Sequence, residues 1–374
     1  MVQPKIVIVG AGPSGAACAL SLAKRGGAEV IVLDKSSYPR VKVCGSGLSP
    51  HALELLDRLE LRARFADRCV HMPRLLARGP EGHEVQLAGR EGAWVVPRVE
   101  FDNALITEAV RHGASFREET KVTALLRDAD GTVRGVTTEH GDLEADLVIC
   151  ANGSPSRFSI DTHPTQGIRT LMGWWTGVAL RRDEGVMIWD RRLAGYYLWA
   201  FPEPGNVFNI GLTIPEHAAE ATHLKPLFEA LLDEHFGAAL AGAELRGKWM
   251  GHPATVTTRI GDIAEGRAMW IGEAARLVSP GSVEGISFAM ESGVIAADVI
   301  AKHFDRDLGL TLPQRAFYRA RIVARMLPKF WAGEAFARLM RSDRARELSA
   351  KMLDPQWFAS KASRLVGSEP APPA

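Results

Sequence analysis

The run Ile6-Val7-Ile8-Val9-Gly10-Ala11-Gly12-Pro13-Ser14-Gly15 decides how this chain folds. A β-branched strand ends in glycines at fixed spacing, and an alanine-rich helical stretch follows at once. Gly10 permits the tight turn, Gly12 lets the backbone approach a pyrophosphate, and Gly15 lets helix and strand pack closely. Pro13 and Ser14 complete the turn, and the free N–H groups of the helix start face the anion. A second strand, Val30-Ile31-Val32-Leu33, leads into Asp34 and Lys35, with Asp34 nineteen positions after Gly15. A carboxylate there accepts hydrogen bonds from ribose hydroxyls. Strand, turn, helix and acid in this order predict an α/β, Rossmann-like nucleotide site rather than a bare glycine turn.

Composition sets the outer limits. The 374 residues suffice for two domains, with 46% hydrophobic and 24% charged residues, as in ordinary globular proteins. A formal net charge of +1 gives no global electrostatic reason for a nucleic-acid partner. Cys18, Cys44, Cys69 and Cys150 are scattered without a CxxC pair, which argues against a disulfide framework or a metal site. No apolar run reaches the ~18 residues of a membrane span, and the first strand begins too early for a secretory leader. The expectation is a cytoplasmic protein, at most peripheral to a membrane.

Working outward, the segment Tyr38-Pro39-Arg40-Val41-Lys42-Val43-Cys44-Gly45-Ser46-Gly47-Leu48 is too long for a plain βα connection. It closes on Ser49-Pro50, a helix N-cap followed by proline. Residues 69–97 read as short strands broken by Gly79 and Gly82, followed by a helix from Phe101 to Val110. Asp130-Gly131 marks a hairpin between strands at 122–126 and 133–138. Asp146–Cys150 is a buried-type strand ending in Ala151-Asn152-Gly153. From about residue 160, Trp174, Trp175, Trp189, Trp199 and Trp249 mark a β-rich region in which core packing explains most of the aromatics. Tyr196–Pro202 and Val207–Ile214 read as antiparallel neighbours, and 216–239 as helical. Nucleotide-fold grammar returns at Ala268–Ile271, Gly272-Glu273 and Ser279–Gly285, where Ile286 opens a long helix to about His303. The last sixty residues read as helical and arginine-rich (Arg315, Arg319, Arg321, Arg325, Arg338, Arg341, Arg344, Arg346), broken by Pro328. They present either a solvated basic face or a contact for an anionic membrane or an acidic carrier.

Taken together and in order, these stretches resemble the FAD-dependent geranylgeranyl reductase family, within the para-hydroxybenzoate hydroxylase-like flavoprotein superfamily. The carriers are Gly10–Gly15 with Asp34, the Tyr38–Leu48 loop, Asn152-Gly153, Gly272-Glu273 with Pro280 through Gly285, and Trp199-Ala200-Phe201-Pro202. The resemblance implies a discontinuous FAD-binding domain (1–70, 97–160 and 255–310) and an inserted antiparallel β-rich substrate domain (71–96 and 161–254). A helical C-terminal region (311–366) and a disordered tail (367–374) would follow. It places adenosine at Asp34 and Lys35, pyrophosphate over Gly10–Gly15, and the flavin near Cys44, Gly45, Arg98, Gly285 and Ile286. Two departures stand out: Asn152 and Glu273 replace family aspartates. Asparagine removes a charge from a place tied to pyridine-nucleotide handling, so slow reduction by NADPH alone is expected, with ferredoxin or a reduced flavin as other donors.

The resemblance implies an oxidoreductase that reduces C=C bonds of an isoprenoid or similar apolar substrate by hydride transfer. In the family's Lys-x-Cys-Gly-x-Gly-Leu loop a cysteine stands near the active site, and Cys44 matches it. It is either a working thiol, its reactivity set by positive charge such as Lys42, or an inert buried one. Alternation puts Tyr197, Trp199 and Phe201 on one strand face and Tyr196, Leu198 and Ala200 on the other, and one of these faces meets substrate. A monooxygenase or halogenase acting on an aromatic or carrier-bound substrate is the alternative, although the Trp-x-Trp-x-Ile-Pro segment of halogenases has Tyr197 and Phe201 here. An escort protein for prenyl groups or lipids, without flavin chemistry, is a third.

Overall fold

The computed structural model of the chain describes residues 3–342. The β-branched strand Lys5–Val9 is buried because neighbours flank it on both sides: Glu29–Leu33 and Leu147–Cys150, both parallel. The full six-stranded sheet runs Ala264–Glu265, Ala268–Trp270, Leu147–Cys150, Lys5–Val9, Glu29–Leu33, Ser115–Arg117. Helix Pro13–Arg25 packs on it, Ile286–His303 packs on that helix in turn, and their small residues allow close approach. A Cβ on Gly293 would lie 2.4 Å from the Ser14 carbonyl oxygen, so glycine is what lets the two helices cross.

A nine-stranded sheet holds most of the remaining β-structure. Gln166–Thr176 pairs with Val207–Pro215 on one side and with Glu244–Leu245 and Met250–Val256 on the other. The sheet continues through Leu198–Glu203, Glu184–Ile188, Val70–Arg78 and Glu84–Val95 to Gly47–Leu48. The 69–97 region is thus one long hairpin rather than several short strands, and the glycines at 79 and 82 form its turn. Val122–Arg127, Val133–Thr138 and Gly141–Glu144 form a separate three-stranded sheet.

Two helical expectations need correction. Residues 216–240 make two helices, Glu216–Thr222 and Leu224–Leu240, because His223 takes a left-handed φ of 50° between them. Pro328 does not break the last helix, which runs unbroken from Leu312 to Arg341. An internal proline costs about 3 kcal/mol. Met326 and Phe330, fully buried on either side of it, are each worth roughly 1.5–3 kcal/mol, which outweighs that cost. Five arginines of this helix make contacts within the chain itself. Arg319 donates to the carbonyls of Ile260 and Gly261, and Arg321 and Arg325 pair with Asp298 and Glu291. Arg338 and Arg341 pair with Glu334. Arg344, Arg346 and the tail 367–374 lie outside the described residues. Among the described residues no helix is long and apolar enough to cross a membrane.

Candidate active site

The turn after Lys5–Val9 forms the floor of a cleft of about 480 Å³. Gly10 adopts a φ of 106°, and a Cβ there would meet the Ala151 oxygen at 2.4 Å. Only glycine gives the turn both its conformation and its space. The helix that follows leaves its first N–H groups pointing into the cleft, which Gly12, Pro13 and Ser14 line. Asp34, 8% exposed, accepts the Ala11 N–H at 2.8 Å, the Ser36 N–H at 3.0 Å and, more weakly, the Tyr38 hydroxyl at 3.4 Å. A carboxylate has about four acceptor sites, so capacity remains for a ribose hydroxyl at the cleft wall. An elongated cleft with an anion-accepting helix start at one end and a ribose acceptor beside it fits FAD.

The cleft gathers most of the residues singled out in the sequence: Gly10, Gly12, Pro13, Ser14, Asp34, Lys35, Cys44, Gly45, Arg98, Asn152, Gly153, Glu273, Gly285 and Ile286. Gly15, Gly272 and Pro280 do not line it. Gly15 packs behind the turn, where a Cβ would lie 1.9 Å from the Gly10 oxygen. Gly272 donates its N–H to Ser292 Oγ at 2.8 Å, and Pro280 is buried. Asn152 accepts the Ser156 hydroxyl at 3.1 Å.

Arg98 is buried and grips Asp102 with two bonds of 2.7 and 2.8 Å, and Arg40 joins the same carboxylate at 3.1 Å. Burial works against the Arg98 charge, but Asp102 and the Cys44 thiol hold its guanidinium above its ordinary value. The i, i+4 spacing on the helix Arg98–Arg111 was a legible sign of this pair, and the sequence reading missed it. Also missed was His252, on Met250–Val256, whose Nε2 meets Lys42 Nζ in the cleft. Burial, then Lys42, pulls His252 down to about 4. Burial pushes the Glu273 carboxyl up, with Lys42 and Arg98 opposing.

A second cavity, about 730 Å³ and mainly apolar, opens beside the first. Cys44, Gly45, Tyr197, Phe201, Val283, Gly285 and Ile286 line both. The second cavity starts at Gly47–Leu48, which pairs with the end of Glu84–Val95, and follows Val70–Arg78 out to the Gly79–His83 turn. At 3.3 Å per residue, Met72 to Gly79 spans roughly 20 Å. A bulge between Met72 and Arg74 turns Met72 to the side of Leu75, and both rest over Gly185. The opposite wall is one face of the last helix, with Lys329, Gly333, Phe336 and Met340 spaced along about 16 Å. Phe336 meets Trp189 edge-on at 5.4 Å, closing the side.

The strand Leu198–Glu203 settles which aromatic face looks inward. Tyr197, Trp199 and Phe201 reach the cavities, whereas Tyr196 is fully buried against Ile168, Val256 and Val278. Tyr196 therefore belongs to the core and not to the site, as strand alternation requires. Tyr197 donates its hydroxyl to the Ser282 carbonyl. Trp199 Nε1 donates to Asn209 Oδ1 at 2.7 Å, and Asn209 Nδ2 donates to the Cys44 carbonyl at 3.1 Å. The sheet thereby fixes the backbone of the cysteine loop. Of the other thiols, burial pushes Cys18 up to about 12 and raises Cys150, which leaves both as inert core. The described residues hold one metal-ligand-type cluster, Asp190, Glu234 and His235, and Arg192 already pairs with both carboxylates.

This constellation agrees with the comparisons to known proteins. A family described as FAD binding domain matches residues 3–307. The chain belongs to that family. It is a flavin-dependent oxidoreductase, as its reductase relatives are. The chain is 30% identical over 351 residues to the menaquinone reductase of Mycolicibacterium smegmatis, covering 86% of this chain and 83% of that protein. It is 30% identical over 319 residues to the digeranylgeranylglycerophospholipid reductase of Methanothrix thermoacetophila, covering 79% and 77%. Among solved structures, a geranylgeranyl bacteriochlorophyll reductase-like protein from Thermoplasma acidophilum superposes with a TM-score of 0.78 at 20% identity, covering 97% and 99%. A flavin-dependent brominase reaches 0.76 at 22%, covering 98% and 94%. At such identities the structural likenesses speak for the fold alone.

Proposed function

We propose that the protein reduces a carbon–carbon double bond in the isoprenoid chain of a lipid-soluble substrate. The observation that carries the reading is the long apolar cavity that joins the cofactor cleft at Cys44, Tyr197 and Phe201. A planar aromatic substrate needs no channel of roughly 20 Å, whereas an extended polyprenyl chain does. FAD supplies the hydride. The residues of this chain supply the rest: Met72, Leu75, Met187 and Trp189 exclude water and hold the chain extended. Cys44, kept at the junction by the Asn209 bond to its carbonyl, gives a thiol proton to the alkene carbon that does not receive the hydride.

Asn152 leaves the cleft wall without the family carboxylate, so NADPH alone reduces the cofactor slowly and a protein or flavin donor serves better. Leu312 and Trp331, exposed on the last helix, give a membrane surface something apolar to meet while the substrate enters. Liposome co-sedimentation at low and high salt tests that contact. The reaction itself is tested with chemically reduced, FAD-loaded protein under anaerobic conditions. A geranylgeranyl lipid and a menaquinone are offered, and products are read by mass spectrometry. A gain of two hydrogens in the isoprenoid chain is the expected result. Halogen or oxygen incorporation in an aerobic parallel, without saturation, would replace this reading.

A further inference from the structure

Lys42 stands apart from the other cations of the cleft. Arg98 and Arg40 share the Asp102 carboxylate, but among the described residues no carboxylate comes within ion-pair distance of Lys42. Its Nζ rests instead on His252 Nε2. Two basic nitrogens in contact can share only one proton between them, so the ammonium donates and the ring accepts. The imidazole is then neutral, with its remaining proton on Nδ1. The His252 backbone that carries the ring is held: Thr170 Oγ1 donates to its carbonyl at 2.9 Å and accepts its N–H at 3.2 Å. Burial lowers the Lys42 pKa, opposed by Glu273 and abetted by Arg98 and Arg40. Maintaining a cation at such a site costs stability, and Glu273 offsets that cost only from beyond ion-pair distance. An anionic ligand in the cleft would supply the closer counter-charge.

The position narrows which part of the ligand. The loop runs along the cleft from Asp34, at the ribose end, to Cys44, at the junction with the apolar cavity, and Lys42 lies two residues from the latter. We propose that Lys42 and His252 form a positioned charge pair, in which the histidine aims the ammonium into the cleft to stabilise the negative charge that FAD acquires on reduction. Lys42 is the contacting group, and His252 is a positioning residue acting through it. The two electrons come from outside the protein, and the pair sets only how readily the bound cofactor accepts them.

The test is the midpoint potential of the FAD-loaded protein, measured anaerobically against a reference dye with a chemical reductant. Lys42→Met is expected to weaken binding of the reduced cofactor about tenfold more than that of the oxidised one, which lowers a two-electron potential by about 30 mV. Lys42→Arg should hold the potential near wild type. His252→Leu should shift it in the same direction as Lys42→Met, and the double variant should add little, because both changes remove one interaction. If Lys42→Met does not hold FAD, Lys42→Gln and His252→Leu carry the measurement. An unchanged potential in variants that bind FAD overturns the proposal. Equal weakening of both redox states would likewise overturn it and would place Lys42 on the diphosphate.

Discussion

The cofactor cleft and the apolar cavity share a wall at Cys44, yet they are assembled in opposite ways. The cleft is made of short turns in which neighbouring residues cooperate: Gly10 to Ser14, Asp34 to Ser36, Arg40 to Gly45. The cavity is made of faces from segments far apart in the chain, Val70–Arg78, Glu184–Ile188, the Gly281–Gly285 loop and the helix Leu312–Arg341. A turn with a fixed conformational demand constrains residue identity position by position. A cavity wall asks only for apolar side chains of fitting size. The first should therefore be brittle to single changes and the second graded.

The sharpest way to break that contrast is Gly10→Ala. The φ of 106° and the 2.4 Å approach to the Ala151 oxygen leave no room for a methyl group. Strain of this kind costs roughly 1–3 kcal/mol, and relieving it moves the turn that receives the pyrophosphate. The expected result in a flavin titration is FAD affinity lowered about 100-fold or lost. Retention of wild-type affinity would show that the turn tolerates rearrangement.

At the shared wall, Cys44→Ala should separate binding from chemistry. The flavin spectrum is expected to persist, because Cys44 holds its loop through a backbone carbonyl that alanine keeps. Turnover should fall by roughly 10²–10⁴, the range for losing a positioned proton donor. A wild-type rate would assign the thiol to packing. In the cavity proper, Ala77→Trp fills part of the channel and should act by degree. We expect the KM for a long-chain substrate to rise about tenfold and FAD affinity to stay unchanged. Equal loss for short and long substrates would mean that the channel does not sort by length.

The same contrast explains what the sequence disclosed. The strand–turn–helix, Asp34, the Cys44 loop and the grouping of Tyr197, Trp199 and Phe201 on one strand face were legible because each obeys a local rule of spacing or alternation; which face turns inward was not. Tyr196 was carried along as a substrate residue only while the two faces of its strand could not be told apart. His252 left no signal, since its place opposite Lys42 depends on the pairing of Met250–Val256 with Gln166–Thr176. The last helix was misjudged for a related reason. Its arginines and Pro328 suggested a broken basic segment. Its actual role depends on Gly333, Phe336 and Met340 meeting the cavity, and on Gly281, where a Cβ would lie 2.4 Å from the Gly333 oxygen. Contacts across such sequence distances follow from the assembled fold and not from neighbouring residues.

The smallest expected effect concerns how that helix is fastened. Glu291, 1% exposed on Ile286–His303, pairs with Arg325 at 2.7 Å and with His51 at 3.2 Å. Burial pushes the carboxyl up, but the bonds from His51 and Arg325 outweigh it and bring the pKa down to about 2. The folded value is depressed below that of the unfolded chain. The pair's contribution is therefore fully present above about pH 4.5 and fades as pH falls toward 2. Arg325 is 59% exposed, so solvent screens part of the gain and leaves about 1 kcal/mol. Glu291→Gln should lower stability at pH 7 by that amount and flatten its decline between pH 4.5 and 2, as urea unfolding across pH would read. Because the helix is the cavity wall, long-chain turnover should weaken in the same variant while FAD affinity holds. If both fell together, the cleft and the cavity would be one mechanical unit, and the contrast between them would be lost.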